Sequence, residues 1–428
     1  MSRPVRGVII TCAALLLALV RPASAADWLS IQGLEPEGPR LAPRVFGFGQ
    51  LAAEAVIAEP VEGLTSEPFA KYNGQRASFN RVPFGEAVGL RITRLRLGAR
   101  GSVPGTRGVL GWFWAAELGQ NGLTAAGGAP WRPILVDASV TAATPWGLAV
   151  RVGRFKLPLS DEALEAVHVS AELVSFSIVT RRLLMERRTE TGVLAGRVNG
   201  FRDHAVQIFG SHLFGRVELS WAAVAGSASI DRPLPDLPAD LVTRAQVSWL
   251  LGEGPRRRAG REELSVWGFA QVGHRDVNAG SPAPRRRIGV GSQLRTGRLR
   301  LRAEALFASG VLTDGQRPPF AGGEPVYAVQ GQAWGATVLG SVRLTDRLRL
   351  GAAFAHLSSQ PAAGPAARLF EEVTALVQLR PKPWLRVDLN GSWRSARAPE
   401  GAPDVQTILA TMGPSVALQI TAIAPSPG

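Results

Sequence analysis

The sequence predicts an all-β fold, a transmembrane antiparallel β-barrel of about 16 strands with one external loop folded inward. Three observations predict it. Apolar and polar residues alternate with a period of two along most of the chain, as in RLRLRAEALF at 298–307. The alternating segments are joined by connections that are short and long in turn. The chain also starts with a stretch patterned like an export signal.

A period of two reads as a β-strand, because successive side chains point to opposite faces. In RLRLRAEALF, Arg298, Arg300, Arg302 and Glu304 fall on one face, and Leu299, Leu301, Ala303, Ala305 and Phe307 on the other. A soluble sandwich alternates too. Here, however, no apolar helix pattern supplies a second layer, and the polar series is too charged for a dry core. One arrangement remains: apolar residues face lipid, polar residues face a wet lumen, and the sheet closes so that no edge is unpaired.

The elements follow in order. Residues 1–25 read as a cleaved signal: MSRPVR is basic, an apolar run of about 14 residues is too short to span a bilayer, and Ala23-Ser24-Ala25 fits cleavage. Cys12, the single cysteine, lies in that run, so the mature chain would hold no disulfide or thiolate metal site. Residues 26–43 form an N-terminal periplasmic segment, 44–423 the barrel and 424–428 a tail. The first strand, 44–59, sets Leu51, Ala53, Ala55 and Ile57 against Gln50 and Glu54. The second, 88–100, sets Leu95, Leu97 and Ala99 against Arg94, Arg96 and Arg100. Strands at 109–119 and 133–143 follow, the latter alternating Val136, Ala138 and Val140 with Asp137, Ser139 and Thr141. The fifth, 148–155, carries Arg151 in its polar series. Strands at 191–209, 215–225 and 241–251 come next, with Val217, Leu219 and Trp221 opposite Glu218 and Ser220, and with Arg244 on the polar side. After 263–273 and 287–295 comes the arginine-rich 298–309, then 331–343 and 347–357, where Arg347 and Arg349 continue the series. The last are 369–379, 384–394 and 405–423. In 384–394, Leu385, Val387 and Leu389 oppose Arg386, Asp388 and Asn390, and Arg394 ends the polar face.

Short connections include GSVPGTRG, TPWG, Thr296-Gly297, Thr345-Asp346 and RPKP. Long ones include 60–87, 156–190, 226–240 and 310–330. Short turns at one rim and long loops at the other are the asymmetry of an outer-membrane barrel whose termini are both periplasmic. With only two tyrosines, the aromatic girdle falls to Trp112, Trp114, Trp146, Trp221, Trp249, Trp267, Trp384 and Trp393.

Net charge is +14, falling to about +11 when Arg3, Arg6 and Arg21 leave with the signal. An arginine facing lipid near the midplane costs about 2–4 kcal/mol, so the fold alone sends the strand arginines to the lumen. Few strand acids accompany them, chiefly Glu54, Glu218, Glu304 and Asp388, and a basic lining favours anions over cations. The five histidines have no metal-ligand spacing, no phosphate-cradling GxxxxGK[ST] occurs, and neither catalytic residue nor cofactor is assigned. The export signal and the lipid-facing series argue against nucleic acid as the partner of the basic charge.

The longest connection opens VGRFKLPLSDEALEAVHVSAELVSFSIVTRRLLMERR (152–188), with Ser160-Asp161-Glu162 placed as a helix start. Here the chain resembles the phosphate-selective porins O and P. The likeness is carried by Val152-Gly153-Arg154-Phe155-Lys156 with Pro158, by Leu173–Phe176, by the basic run before Gly192-Val193, and by RLRLGARGSV at 94–103. The resemblance implies a homotrimeric porin of the Gram-negative outer membrane whose third external loop, here 156–190, narrows the pore. Lys156, Arg181, Arg182, Arg187 and Arg188 would be the charged groups of that constriction. The chain departs from the family in offering only Lys156 where phosphate-selective members are lysine-rich, and in ending without Phe or Trp.

The expected function is passive diffusion of small hydrophilic solutes with anions preferred, the barrel's other partner being outer-membrane lipid. A competing reading makes the barrel a scaffold or sheath for a periplasmic or electron-transfer protein. A hydrolase with a triad spread over distant strands is a third class.

Overall fold

The computed structural model describes residues 43–57, 88–106, 108–119, 132–144, 147–165, 172–188, 200–227, 240–252, 261–278, 281–317, 324–360, 368–397 and 415–423, together with Trp28, Ala70, 73–74, Leu194 and 197–198. Five strands come first: β1 (Arg44–Val56), β2 (Val88–Ser102), β3 (Leu110–Leu118), β4 (Ile134–Ala143) and β5 (Leu148–Lys156). Two short helices, α1 (Asp161–Leu164) and α2 (Ile178–Leu183), precede a two-residue ribbon of β6 (Arg187–Arg188) and β7 (Arg197–Val198). The chain then returns through β8 (Arg202–Phe214), β9 (Val217–Gly226), β10 (Asp240–Leu250), β11 (Glu263–Asn278), β12 (Ser281–Arg295) and β13 (Leu299–Arg317). It ends with β14 (Glu324–Arg343), β15 (Leu348–Gln360), β16 (Arg368–Lys382), β17 (Leu385–Arg397) and β18 (Ser415–Ile423).

All of these strands except β6 and β7 form one closed antiparallel barrel of 16 strands. Each pairs with its neighbours in chain order, β8 following β5. Closure comes from β1 against β18, in register from Phe48↔Ile423 to Val56↔Ser415. Closing the sheet satisfies the backbone groups that an edge would leave bare in lipid.

The alternation read from the sequence sorts the two faces. On β13, Leu301 and Phe307 are exposed on the outer surface, while Arg300, Arg302 and Glu304, of the other parity, are buried inside. Val290, Val338, Trp334 and Trp393 extend the outer apolar surface. Trp114, Trp249 and Trp384 are likewise exposed, as a girdle requires, and Trp146 lies outside the described residues. Trp267 departs from the expected girdle: it points into the lumen, 2% exposed, between inward Ser265 and Phe269. Val136 also leaves the lipid side. It sits at a register shift between β3 and β4, which doubles a residue and turns its side chain inward.

Several boundaries move. The expected strand 191–209 gives way to β8, starting at Arg202. Leu194, Arg197, Val198 and Gly200 lie outside the barrel sheet, and left-handed backbone at Gly200 and Phe201 (φ 57° and 62°) swings the chain into the wall. The break expected between 273 and 287 is instead a long hairpin, with only residues 279–280 between β11 and β12. β13 and β14 likewise reach well into the expected 310–330 loop. The expected last strand contracts to Ser415–Ile423, and residues 405–414 lie outside the described set.

The lumen is not a uniform polar bore. Inward Leu306, Ala308, Ala333, Ala355, Leu357 and Phe370 form a patch on β13–β16, and Val179, Leu183 and Leu184 from the α1–α2 connection pack on it. This intra-lumen cluster is where the apolar core sits.

Candidate functional lumen

The inward connection is built on two short caps. Ser160 precedes α1 and its Oγ accepts from Ala163 N at 3.1 Å, while Asp161 and Glu162 occupy the first turn. Lys156 closes the other end of α1, its Nζ donating to the carbonyls of Ala163 (2.9 Å) and Glu165 (3.0 Å). Ser177 caps α2 by accepting from Thr180 N. The Glu162 carboxylate then locks the helices together, accepting from Ser177 N and Ser177 Oγ (2.6 Å each) and from Thr180 Oγ1 (2.5 Å). An acid on α1 therefore satisfies donors at the start of α2 that burial would otherwise strand.

Wall side chains hold this unit from several strands. Glu304 accepts from Glu162 N at 3.1 Å, Glu372 from Ile178 N at 3.1 Å, and Asn390 Oδ1 from Val174 N at 2.7 Å. Arg287 donates to the Leu183 carbonyl at 2.6 Å. Arg244 donates to the Leu159 carbonyl and pairs with Asp161 at 2.5 Å. Gly335 on β14 permits close approach, since a Cβ there would lie 2.7 Å from Val179 Cγ2.

The same contacts decide what the lumen arginines can do. Arg300 and Arg302 converge on Glu165 at 2.5 and 2.6 Å. Arg349 reaches Glu172 at 2.6 Å, and Ser341 Oγ donates to the same carboxylate. Arg96 is paired with Glu117, Arg386 with Asp388 at 2.7 Å, and Arg394 with Glu372 at 2.6 Å. Arg151 is buried with its guanidinium 5.1 Å from the Phe155 ring centroid, and Arg100 lies half-buried on the inner face. Arg298 and Arg347 are exposed at the rim of short turns. The expectation that few acids accompany the arginines is thus corrected. The acids come from the inward connection (Asp161, Glu165, Glu172, Glu186) as well as from neighbouring strands.

Two arginines lie toward the open lumen, whereas Arg287 is spent on the carbonyls of Leu183, Ser309 and Val311. Arg94 is buried and donates to Gln50 Oε1 at 2.9 Å, and Arg181 sits half-buried on α2. Among the described residues, neither has a carboxylate within ion-pair distance. Burial lowers the pKa of Arg181, and the nearby charge of Arg394 adds to this, against Glu372, Glu54 and Glu162. Of the other loop cations, Arg182 lies 5.1 Å from the Phe370 ring centroid, and the side chains of Arg187 and Arg188 are outside the described set.

Unfilled space lies beside the connection, bordering its apolar seat at Ala355. One opening of about 530 Å³ runs between Leu173–Ser175 and the inner faces of β14–β18 and β1. Its wall mixes Glu54, Glu372 and Arg394 with Thr337, Thr374 and Ser392. A second, of about 320 Å³, shares Glu162 and Leu173–Ser175 with the first and is bounded by Arg94 and Gln419. Among the described residues no cluster of His, Cys, Asp or Glu has metal-binding geometry.

Arg202, Arg275, Arg285 and Arg287 were not singled out by sequence. Arg202 makes a two-pronged pair with Asp137 at 2.9 Å, and Arg275 bridges Glu186 (2.8 Å) and Asp240. Arg285 also reaches Glu186. The alternating pattern places each of the last three on an inward position, and that signal was available.

No family model matches the chain, and no curated protein matches it in sequence. Solved structures do match in fold. An anion-selective porin from Comamonas acidovorans superposes with a TM-score of 0.54 at 12% identity, covering 90% of this chain and 99% of that one. OmpF of Salmonella typhi, solved in complex with daunomycin, gives 0.53 at 11% identity over 91% and 99%. A loop-deleted form of OmpT, an outer membrane protein of Vibrio cholerae, gives 0.50 at 10% over 90% and 100%. The chain has the 16-stranded fold of the porins.

Proposed function

We propose that the chain is an outer-membrane porin of a Gram-negative bacterium, passing small hydrophilic solutes by diffusion and favouring anions. Residues 1–25 would be removed on export, the short turns would face the periplasm, and the α1–α2 connection would be the constriction. The observation that carries the anion preference is that Arg94, bounding one of the two openings, and Arg181 near the other have no carboxylate partner among the described residues. Many of the remaining lumen cations are paired with acids, and Arg287 is spent on the carbonyls of Leu183, Ser309 and Val311, so the two beside the openings are the ones a solute would meet. The likeness in fold to an anion-selective porin supports the reading. We further propose a divergent relation to the phosphate-selective porins O and P and a homotrimer, on the resemblance in 152–158 and 94–103. Phosphate selectivity itself has little support, because the one lysine of the constriction, Lys156, is committed to capping α1.

Planar-bilayer recording of the purified protein tests this. Discrete open-channel steps, with a reversal potential displaced toward the anion in a salt gradient, are expected. Absence of steps would remove the porin reading, and cation preference would remove the anion reading while leaving the channel.

The scaffold reading has one observation in its favour. Consecutive short turns carry exposed cations, namely Arg298, Arg343, Arg347, Arg380 and Lys382. A salt-sensitive complex with an acidic periplasmic protein, in a barrel that does not conduct, would favour it.

A further inference from the structure

Trp28 lies before the first barrel strand in sequence yet inside the barrel in space. Its side chain is 3% exposed. It packs with Ala149, Phe209 and Ala222 of the wall and with Leu164 of α1. Its Nε1–H donates to Ser220 Oγ at 3.0 Å, so the one polar atom of the indole is satisfied. The Arg244 guanidinium lies 5.0 Å from the Trp28 ring centroid and 4.4 Å from that of Trp267, held between two indoles. Arg244 is also the side chain that grips α1, through the Leu159 carbonyl and Asp161.

We propose that Trp28 is a second constricting element, docked in the lumen ahead of the first barrel strand. The indole closes the β5–β10 side of the barrel beneath α1. Conduction is thereby shifted toward the opposite side, where the two openings found among the described residues lie. It also sets the inward connection, because Trp28 and Trp267 together fix Arg244, and a guanidinium between aromatic faces gains attraction from both. The cradle is specific for an aromatic group with one hydrogen-bond donor: apolar walls, a hydroxyl acceptor and a flat cation. An ordinary terminal residue would not find all three.

The proposal rests on the porin reading, so the experiment separates the two. Single-channel conductance is compared among the wild type, Trp28→Ala and Trp28→Phe, each checked for an intact barrel by heat-modifiable electrophoretic mobility. Trp28→Ala is expected to raise conductance and add open-state noise as α1 loosens. Trp28→Phe, which fills space but lacks the Ser220 bond, is expected to fall between. A conducting wild type with all three indistinguishable overturns the plug and spares the porin. If the wild type does not conduct, the porin reading fails, and a second readout still decides the docking. In a chain bearing Cys12→Ala and Ala222→Cys, position 222, which packs on Trp28, is the single thiol. Docking predicts slow reaction with a membrane-impermeant maleimide while Trp28 is present and fast reaction once Trp28→Ala is added. Equal rates overturn the proposal.

Discussion

At the scale of single residues, the lumen is governed by who partners each arginine. Glu165 is the clearest case, since one carboxylate from the inward connection accepts from both Arg300 and Arg302. Removing one member of a buried pair leaves an uncompensated charge, at a cost of about 3–5 kcal/mol. Glu165→Gln should therefore lower barrel stability and, by leaving Arg300 and Arg302 only their longer contacts to Glu172 (3.6 Å) and Glu304 (3.8 Å), increase anion preference; the two are read by denaturant unfolding and by reversal potential. The sequence placed Arg300 and Arg302 on the inner face correctly, because a period of two leaves only two choices. It did not reveal their neutralisation, which depends on a connection more than a hundred residues away in the chain.

At the scale of elements, the inward connection follows from a flaw in the alternation. On β13 the polar series Arg300, Arg302, Glu304 gives way to Leu306 and Ala308, while Ala305 and Phe307 stay apolar on the other side. A strand apolar on both faces is covered on both faces, and α2 is what covers this one. Gly335→Ala would place a methyl 2.7 Å from Val179 Cγ2 and 2.9 Å from the His356 carbonyl. Overpacking of this kind costs about 1–3 kcal/mol. Faster amide hydrogen exchange over Ile178–Leu183 is the expected result, with little change in the wall. Replacing 160–186 by a short flexible linker should raise conductance while leaving the barrel folded, because no strand of the closed sheet pairs with α1 or α2. The cap at Ser160 was legible in sequence. The ribbon of β6 and β7 was not, since two-residue strands carry no period.

At the scale of the whole molecule, closure and the two-faced wall were legible, and the ends of the strands were not. Alternation persists for many residues and survives errors of a few positions. Strand ends depend on where the wall stops needing partners, as with the hairpin that carries β11 into β12. Trp267 was misplaced because a tryptophan suits an interface or a lumen cradle equally, and only its parity with Ser265 and Phe269 decides. The closed wall makes a directional prediction. Leu301→Arg, on the lipid face, should destabilise the barrel by about 2–4 kcal/mol. The arginines on either side of it are accommodated because they face inward.

The proposed anion preference rests on Arg94 and Arg181 beside the openings, not on the total of basic residues. The most direct measurement is the reversal potential of Arg94→Gln/Arg181→Gln beside the wild type under one salt gradient. Open-channel steps are expected in both proteins, with the anion preference largely lost in the double variant. An unchanged reversal potential would contradict it.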